Sequence, residues 1–248
     1  MVKGLDTFQK YFADYEEQYV LIGGAACHIL FESNEVNFRA TRDLDMVLII
    51  EALTPEFGEK FWKFIVDGKY RNKATNGSNP QFYRFDKPED DEFPKMIELF
   101  CRSDFKLKNA KGITPIHIDD EVSSLSAILL NDDYYKALLK GKEVRNGLSV
   151  LRPEYIILFK AKAYLDLKRQ KDLGEKVDSS DIKKHKKDVL RIASELMLEK
   201  VEELPIAVDA DIHSFIDLLE QEPFDQNSLK RYGLKNENVV ELLKRVFG

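Results

Sequence analysis

The sequence predicts an α+β fold in two parts: a mixed sheet flanked by helices over residues 1–151, then an all-helical lobe over residues 152–248. Two observations predict it. Up to Leu151, short apolar β-rich runs alternate with segments of helical period; from Pro153 onward only the helical period recurs. No internal repeat or low-complexity linker interrupts the chain.

Leu5, Phe8, Tyr11, Phe12 and Tyr15 follow the helical period, so a helix is expected from Leu5 to Glu17. Tyr19 to Ile22 is a short apolar run that ends at Gly23-Gly24, a buried strand and a tight turn, and Ala25 to Phe31 continues as a helix. The segment RATRDLDMVLII is a polar loop feeding a strand from Leu44 to Ile50. Thr54 and Pro55 give the N-cap and first position of a helix running to Tyr70, with Phe57, Phe61 and Trp62 in the core. A loop at 72–80 and an acidic turn at 88–92 bracket a strand at QFYRF; KMIELFCR (95–102), SLSAILL (124–130) and GLSVL are further strands. Asp132 to Gly141 is a helix capped by Asp132 or Asp133. Beyond Pro153, EYIILFKAKAYLDLKRQK is a long helix burying Ile156, Leu158, Phe159, Ala163 and Leu167. A second helix capped by Ser180 or Asp181 follows, and SFIDLLEQ and NENVVELLKRVF make the tail helical.

Composition excludes several classes of protein. With 44% hydrophobic and 11% aromatic residues the chain is not intrinsically disordered. No apolar run approaches the ~20 residues of a membrane span, and the polar start lacks a signal peptide's apolar stretch. Cys27 and Cys101 each sit in an apolar run without a CxxC, which argues against a zinc site or disulfide scaffold. A soluble, cytoplasmic protein is expected. The net charge of -6 argues against general coating of nucleic acid. Residues 160–191 nevertheless carry eleven Lys/Arg against six Asp/Glu, which is either a solvated helix surface or a face for phosphate-bearing ligands.

The chemistry concentrates at a strand, a Gly-Gly turn opening a helix, and an Asp-x-Asp at the head of the next strand. Glycines at a helix N-terminus let a phosphate approach the backbone, where free N–H groups and the helix dipole favour an anion. Asp43 and Asp45 lie two apart on a strand and so share one face, with Leu44 turned to the core. Two such carboxylates repel unless a cation sits between them, and Mg2+, which prefers oxygen ligands, is the natural counterion. Glu98, flanked by Met96, Ile97, Leu99 and Phe100, is costly to bury alone and is the best candidate for a third carboxylate, which would allow a two-metal site. Each feature also has a plain structural reading: a common turn, two solvated caps, and a glutamate on the open side of an edge strand. Of the histidines, His28 is a surface or packed residue, His185 lies in the basic helix, and His117 and His213 lack a partner at catalytic spacing.

Together, LIGGAACHILFES and RATRDLDMVL resemble the opening motif of the nucleotidyltransferase superfamily with the DNA polymerase β-like fold, with Gly23-Gly24 in place of the usual Gly-Ser. ILFKAKAYLDLKRQK followed by KHKKDVLRI is similar to the helical motif of the AbiEii/AbiGii toxin branch, Lys160 with Ala163 matching its lysine helix and Lys187 with Asp188 its terminal pair. The resemblance spans about residues 19–192 and implies a nucleotidyltransferase-like mixed sheet. It further implies transfer of a nucleoside monophosphate from a nucleoside triphosphate to an acceptor hydroxyl or phosphate on RNA (tRNA among the candidates), protein or a small molecule. Asp43, Asp45 and Glu98 would hold Mg2+, and Gly23 and Gly24 would seat the phosphates. Lys160 and Lys187 would neutralise the leaving pyrophosphate, with Thr41 and Arg42 steadying the loop or touching phosphate. A toxin-type enzyme with a cognate antitoxin partner is part of that expectation. The alternatives are a catalytically inactive relative that binds a nucleotide or a partner, and a small-molecule transferase akin to aminoglycoside-modifying enzymes.

Overall fold

A computed structural model of the chain describes residues 2–32, 43–72, 82–100, 128–129 and 131–248. These fall into two compact units: a sheet unit and a helical unit that also takes in the helix Asp132–Gly141.

The sheet unit runs α1 (Leu5–Phe12), a 3-10 turn (Glu16–Gln18), β1 (Tyr19–Ile22), α2 (Gly23–Glu32), β2 (Asp43–Leu48), α3 (Pro55–Asp67), β3 (Arg71–Asn72), β4 (Phe82–Asp86) and β5 (Met96–Phe100). β6 (Lys142–Arg145) and β7 (Leu148–Leu151) complete it. The described strands form one mixed seven-stranded sheet in the order β3-β4-β5-β2-β1-β7-β6, with β2/β5 and β1/β7 parallel and the other pairs antiparallel. Because side chains alternate across a pleated strand, the register sorts residues onto two faces. Tyr19, Phe85 and Leu44 share one face, and α1 and α3 cover it with aromatic rings. Phe8 meets Tyr19 at 5.5 Å and Phe61 meets Phe85 at 5.6 Å, both edge-on. Such pairs add about 0.5–1.5 kcal/mol each beyond the area they bury. The opposite face carries Asp43, Asp45 and Glu98. α2, apolar on every side and buried from Ala25 to Phe31, packs against β1 and β2.

The helical unit contains α4 (Asp132–Gly141), α5 (Pro153–Asp172), α6 (Ser179–Glu195), α7 (Ile206–Gln221), α8 (Gln226–Arg231) and α9 (Asn236–Phe247). A short connection makes α5 and α6 neighbours. All five core positions expected on α5 are buried. Tyr164 meets Phe215 of α7 edge-on at 5.5 Å, and Leu243 of α9 is fully buried.

Several boundaries differ from the sequence expectation. α1 stops at Phe12 instead of Glu17, because the 3-10 turn brings the Gln18 Oε1 to accept from the Thr54 backbone N–H at 3.0 Å. Thr54 itself caps α3 as expected, accepting from the Phe57 N–H at 3.3 Å. The cap of α4 is Asn131, which accepts from the Asp133 N–H at 2.9 Å and leaves the Asp133 carboxylate to accept from Ala207 N–H at 3.1 Å. The cap of α6 is Asp178, accepting from the Ser180 N–H at 2.8 Å. Of the strand expected at 124–130, only Ile128 and Leu129 are described, and both are helical. Period alone cannot separate a short buried strand from a helix. β6 was not anticipated: it pairs with β7 through Asn146-Gly147, whose φ values of 50° and 69° make the tight turn that suits a two-residue hairpin.

Candidate functional site in the sheet unit

The sheet register aligns the acidic residues. Asp45 on β2 stands opposite Glu98 on β5, and Glu98 in turn stands opposite Arg84 on β4. One step along, Asp43 faces Met96, and Met96 faces Asp86. Asp43, Asp45, Glu98, Arg84 and Asp86 therefore share the face turned away from the aromatic core.

Glu98 is only 7% exposed. The Arg84 guanidinium donates to its Oε1 from Nε at 2.8 Å and approaches from Nη2 at 2.6 Å. Its carboxyl group also interacts with that of Asp45, directly opposite on β2. Burial pushes the Glu98 carboxyl above its ordinary range and the negative charge of Asp43 adds to this, while Arg84 and the interaction with Asp45 oppose it.

Gly23 closes the other side. Its φ is +61°, a left-handed conformation that strains any residue with a Cβ, and a Cβ there would lie 2.1 Å from the Asp45 Oδ2. The first residue of α2 thus lies directly against the Asp45 carboxylate, at the helix end where backbone N–H groups are unpaired and the dipole is positive. Gly24 follows as the second residue of that helix.

The donor set is all oxygen, which suits magnesium. Among the described residues no group of three or more His, Cys, Asp or Glu is gathered to hold a metal ion. Magnesium commonly takes one or two carboxylates and completes its shell with water and substrate phosphates, and Asp43 with Asp45 meets that requirement. Glu98 reaches Asp45 but has its Oε1 committed to Arg84.

Thr41 and Arg42 lie outside the described residues, as does Cys101; Cys27 is buried. In the helical unit, Lys160 forms an ion pair with Asp188 at 3.1 Å, with side chains 12% and 8% exposed. Lys187 is exposed on the wall of a cleft. His28 and His185 are buried and His213 is exposed; burial lowers the pKa of His28. Sequence reasoning missed Arg84 and Asp86. Alternation within β4 puts them on one face, but only the pairing of β4 with β5 delivers that face to Glu98. No helix among the described residues is long and apolar enough to cross a membrane. Compared with protein-family models and with curated proteins, the chain matches none.

Proposed function

We propose that the protein is a Mg2+-dependent nucleotidyltransferase that moves a nucleoside monophosphate from a nucleoside triphosphate to an acceptor. One observation carries the reading: Asp43 and Asp45 share a sheet face with a buried Glu98, beside a glycine that opens a helix against Asp45. The N-terminus of α2 binds the triphosphate tail through backbone N–H groups. Asp43 and Asp45 hold the cation, which when bound supplies positive charge to the phosphates. Glu98 orients Asp45 and, with its pKa raised by burial, receives the proton of the acceptor hydroxyl as that oxygen bonds to the α-phosphorus and the bond to pyrophosphate breaks. The toxin-type role and an RNA acceptor rest on the motif resemblance.

A specific observation favours a second reading, a nucleotide- or partner-binding relative without turnover: Arg84 already gives Glu98 the positive charge that a second metal would provide. The test is incubation of the pure protein with each labelled nucleoside triphosphate and Mg2+, with total RNA, protein or aminoglycoside acceptors, beside the Asp43→Ala/Asp45→Ala variant. Label transfer by the wild type alone supports the enzyme. Nucleotide binding without transfer to any acceptor supports the second reading, and equal transfer by the variant refutes the assignment of this site.

A further inference from the structure

We propose a second ligand site, made wholly of residues in the helical unit, that binds a small compound carrying two or more linked phosphoryl groups. It is a cleft of about 570 Å³ between the C-terminal half of α5, the N-terminal half of α6 and the segment 222–228. That volume is in the range of small-molecule pockets, about 300–1,000 Å³.

Its charge defines the ligand. Five lysines (168, 171, 183, 186 and 187) line it against three carboxylates. Ile182, Lys183, Lys186, Lys187 and Leu190 fall on one helical face of α6, so the lysines point to a common space. Two of the three carboxylates already have partners, Glu222 with one of the five lysines. Glu222 pairs with Lys168 at 2.9 Å, and Asp225 caps α8 by accepting from the Ser228 N–H at 2.9 Å. Lys171 donates to a neutral partner, the Ser179 hydroxyl, at 2.6 Å. Among the described residues no carboxylate lies within 4 Å of the Lys183 or Lys187 ammonium, although Lys187 is near enough to Asp225 to help lower its pKa. Lys186 is fixed between the Tyr164 and Phe224 rings, 5.7 and 5.5 Å from their centroids, and donates to the Glu222 and Pro223 carbonyls. Burial lowers its pKa, Glu222 opposes this, and Lys168 adds a smaller lowering. A multivalent anion matches the excess of lysines over carboxylates in the cleft, and lysines satisfy phosphate oxygens without the geometric demands of a planar guanidinium.

The site does not rest on the nucleotidyltransferase reading, and the experiment separates the two. The full-length protein is titrated with sodium tripolyphosphate in EDTA at low salt by calorimetry, then with ATP and with a 20-nucleotide single-stranded RNA. A single saturable site for tripolyphosphate is expected. Lys183→Ala/Lys187→Ala should weaken it by roughly tenfold or more, the loss of one or two charge-assisted hydrogen bonds. Asp43→Ala/Asp45→Ala and the remote surface variant Lys10→Ala/Lys95→Ala should leave it unchanged. Tighter binding of ATP than of tripolyphosphate would identify a nucleotide as the ligand, and equal binding a bare polyphosphate. No saturable binding, a loss as large in the remote variant, or binding of the RNA alone would overturn the proposal.

Discussion

Asp45 and Glu98 stand directly opposite each other on adjacent parallel strands, and their carboxyl groups interact. A sheet rarely gathers acidic side chains this way, because directly opposed like charges destabilise a strand pair. Here Arg84 offsets part of the cost from the third strand, and the N-terminus of α2 faces Asp45 from the other side. Both neighbours supply positive potential, so the fold maintains an anionic site at the head of β2.

Gly23 is the residue most sensitive to a single added atom. Gly23→Ala forces a Cβ into a left-handed backbone and onto the Asp45 carboxylate. A left-handed non-glycine residue alone costs about 1–2 kcal/mol. The variant should lose at least that in urea denaturation and lose any label transfer. Gly58→Ala, inside α3 with open space where its Cβ would lie, should be tolerated in stability. Equal behaviour of the two variants would refute the role given to Gly23.

Lys160 and Asp188 make a nearly buried pair between α5 and α6. Removing one partner leaves the other charge buried, which typically costs about 3–5 kcal/mol. Lys160→Met and Asp188→Leu should each destabilise strongly, and the double variant by much less than their sum. A stability cycle by urea denaturation measures this coupling. If the two losses simply add, the pair is not holding the helices.

Glu154, on the first turn of α5, is 2% exposed and its Oε1 accepts from the Glu199 N–H at 2.6 Å. Burial raises its pKa above the ordinary 4.5, outweighing that hydrogen bond. A carboxyl whose folded pKa is raised contributes stability that is fully present below pH 4.5 and is lost as pH rises through the folded value. Glu154→Gln keeps the acceptor and removes the titration. Denaturation at pH 4.5 and pH 7 should therefore show the variant gaining on the wild type as pH rises. A difference that is flat with pH would contradict the assignment.

How much of this was legible in the sequence depends on whether the determining contact is local. The shared face of Asp43 and Asp45 follows from a period of two, and the Thr54-Pro55 start of α3 from capping chemistry. The commitment of Glu98 to Arg84 and of Lys160 to Asp188 does not, because each partner lies on another strand or helix and only tertiary register brings it near. β6 is a mixed case. Its KEVR segment is too polar to read as a strand, yet Asn146-Gly147 was a hairpin signal in plain sight. The basic face of α6 could be read from spacing, but the segment 222–228 that makes it a cleft could not.

Arg84 gives the sharpest discrimination between a catalytic and a non-catalytic site. In the wild type its guanidinium balances Glu98, 7% exposed, beside Asp45. Arg84→Ala leaves that carboxyl buried without its cation, at a cost of up to about 3–5 kcal/mol. If Asp43, Asp45 and Glu98 together can hold a divalent ion, Mg2+ restores the missing charge, and binding to the folded state alone stabilises it by RT ln(1 + [Mg2+]/Kd). The melting temperature of Arg84→Ala should then rise with Mg2+ concentration more steeply than that of the wild type, and Asp43→Ala/Asp45→Ala on the same background should abolish the rise. An Arg84→Ala protein as indifferent to Mg2+ as to Na+ would mean that the three carboxylates do not form a cation site, and the nucleotidyltransferase reading would lose its metal.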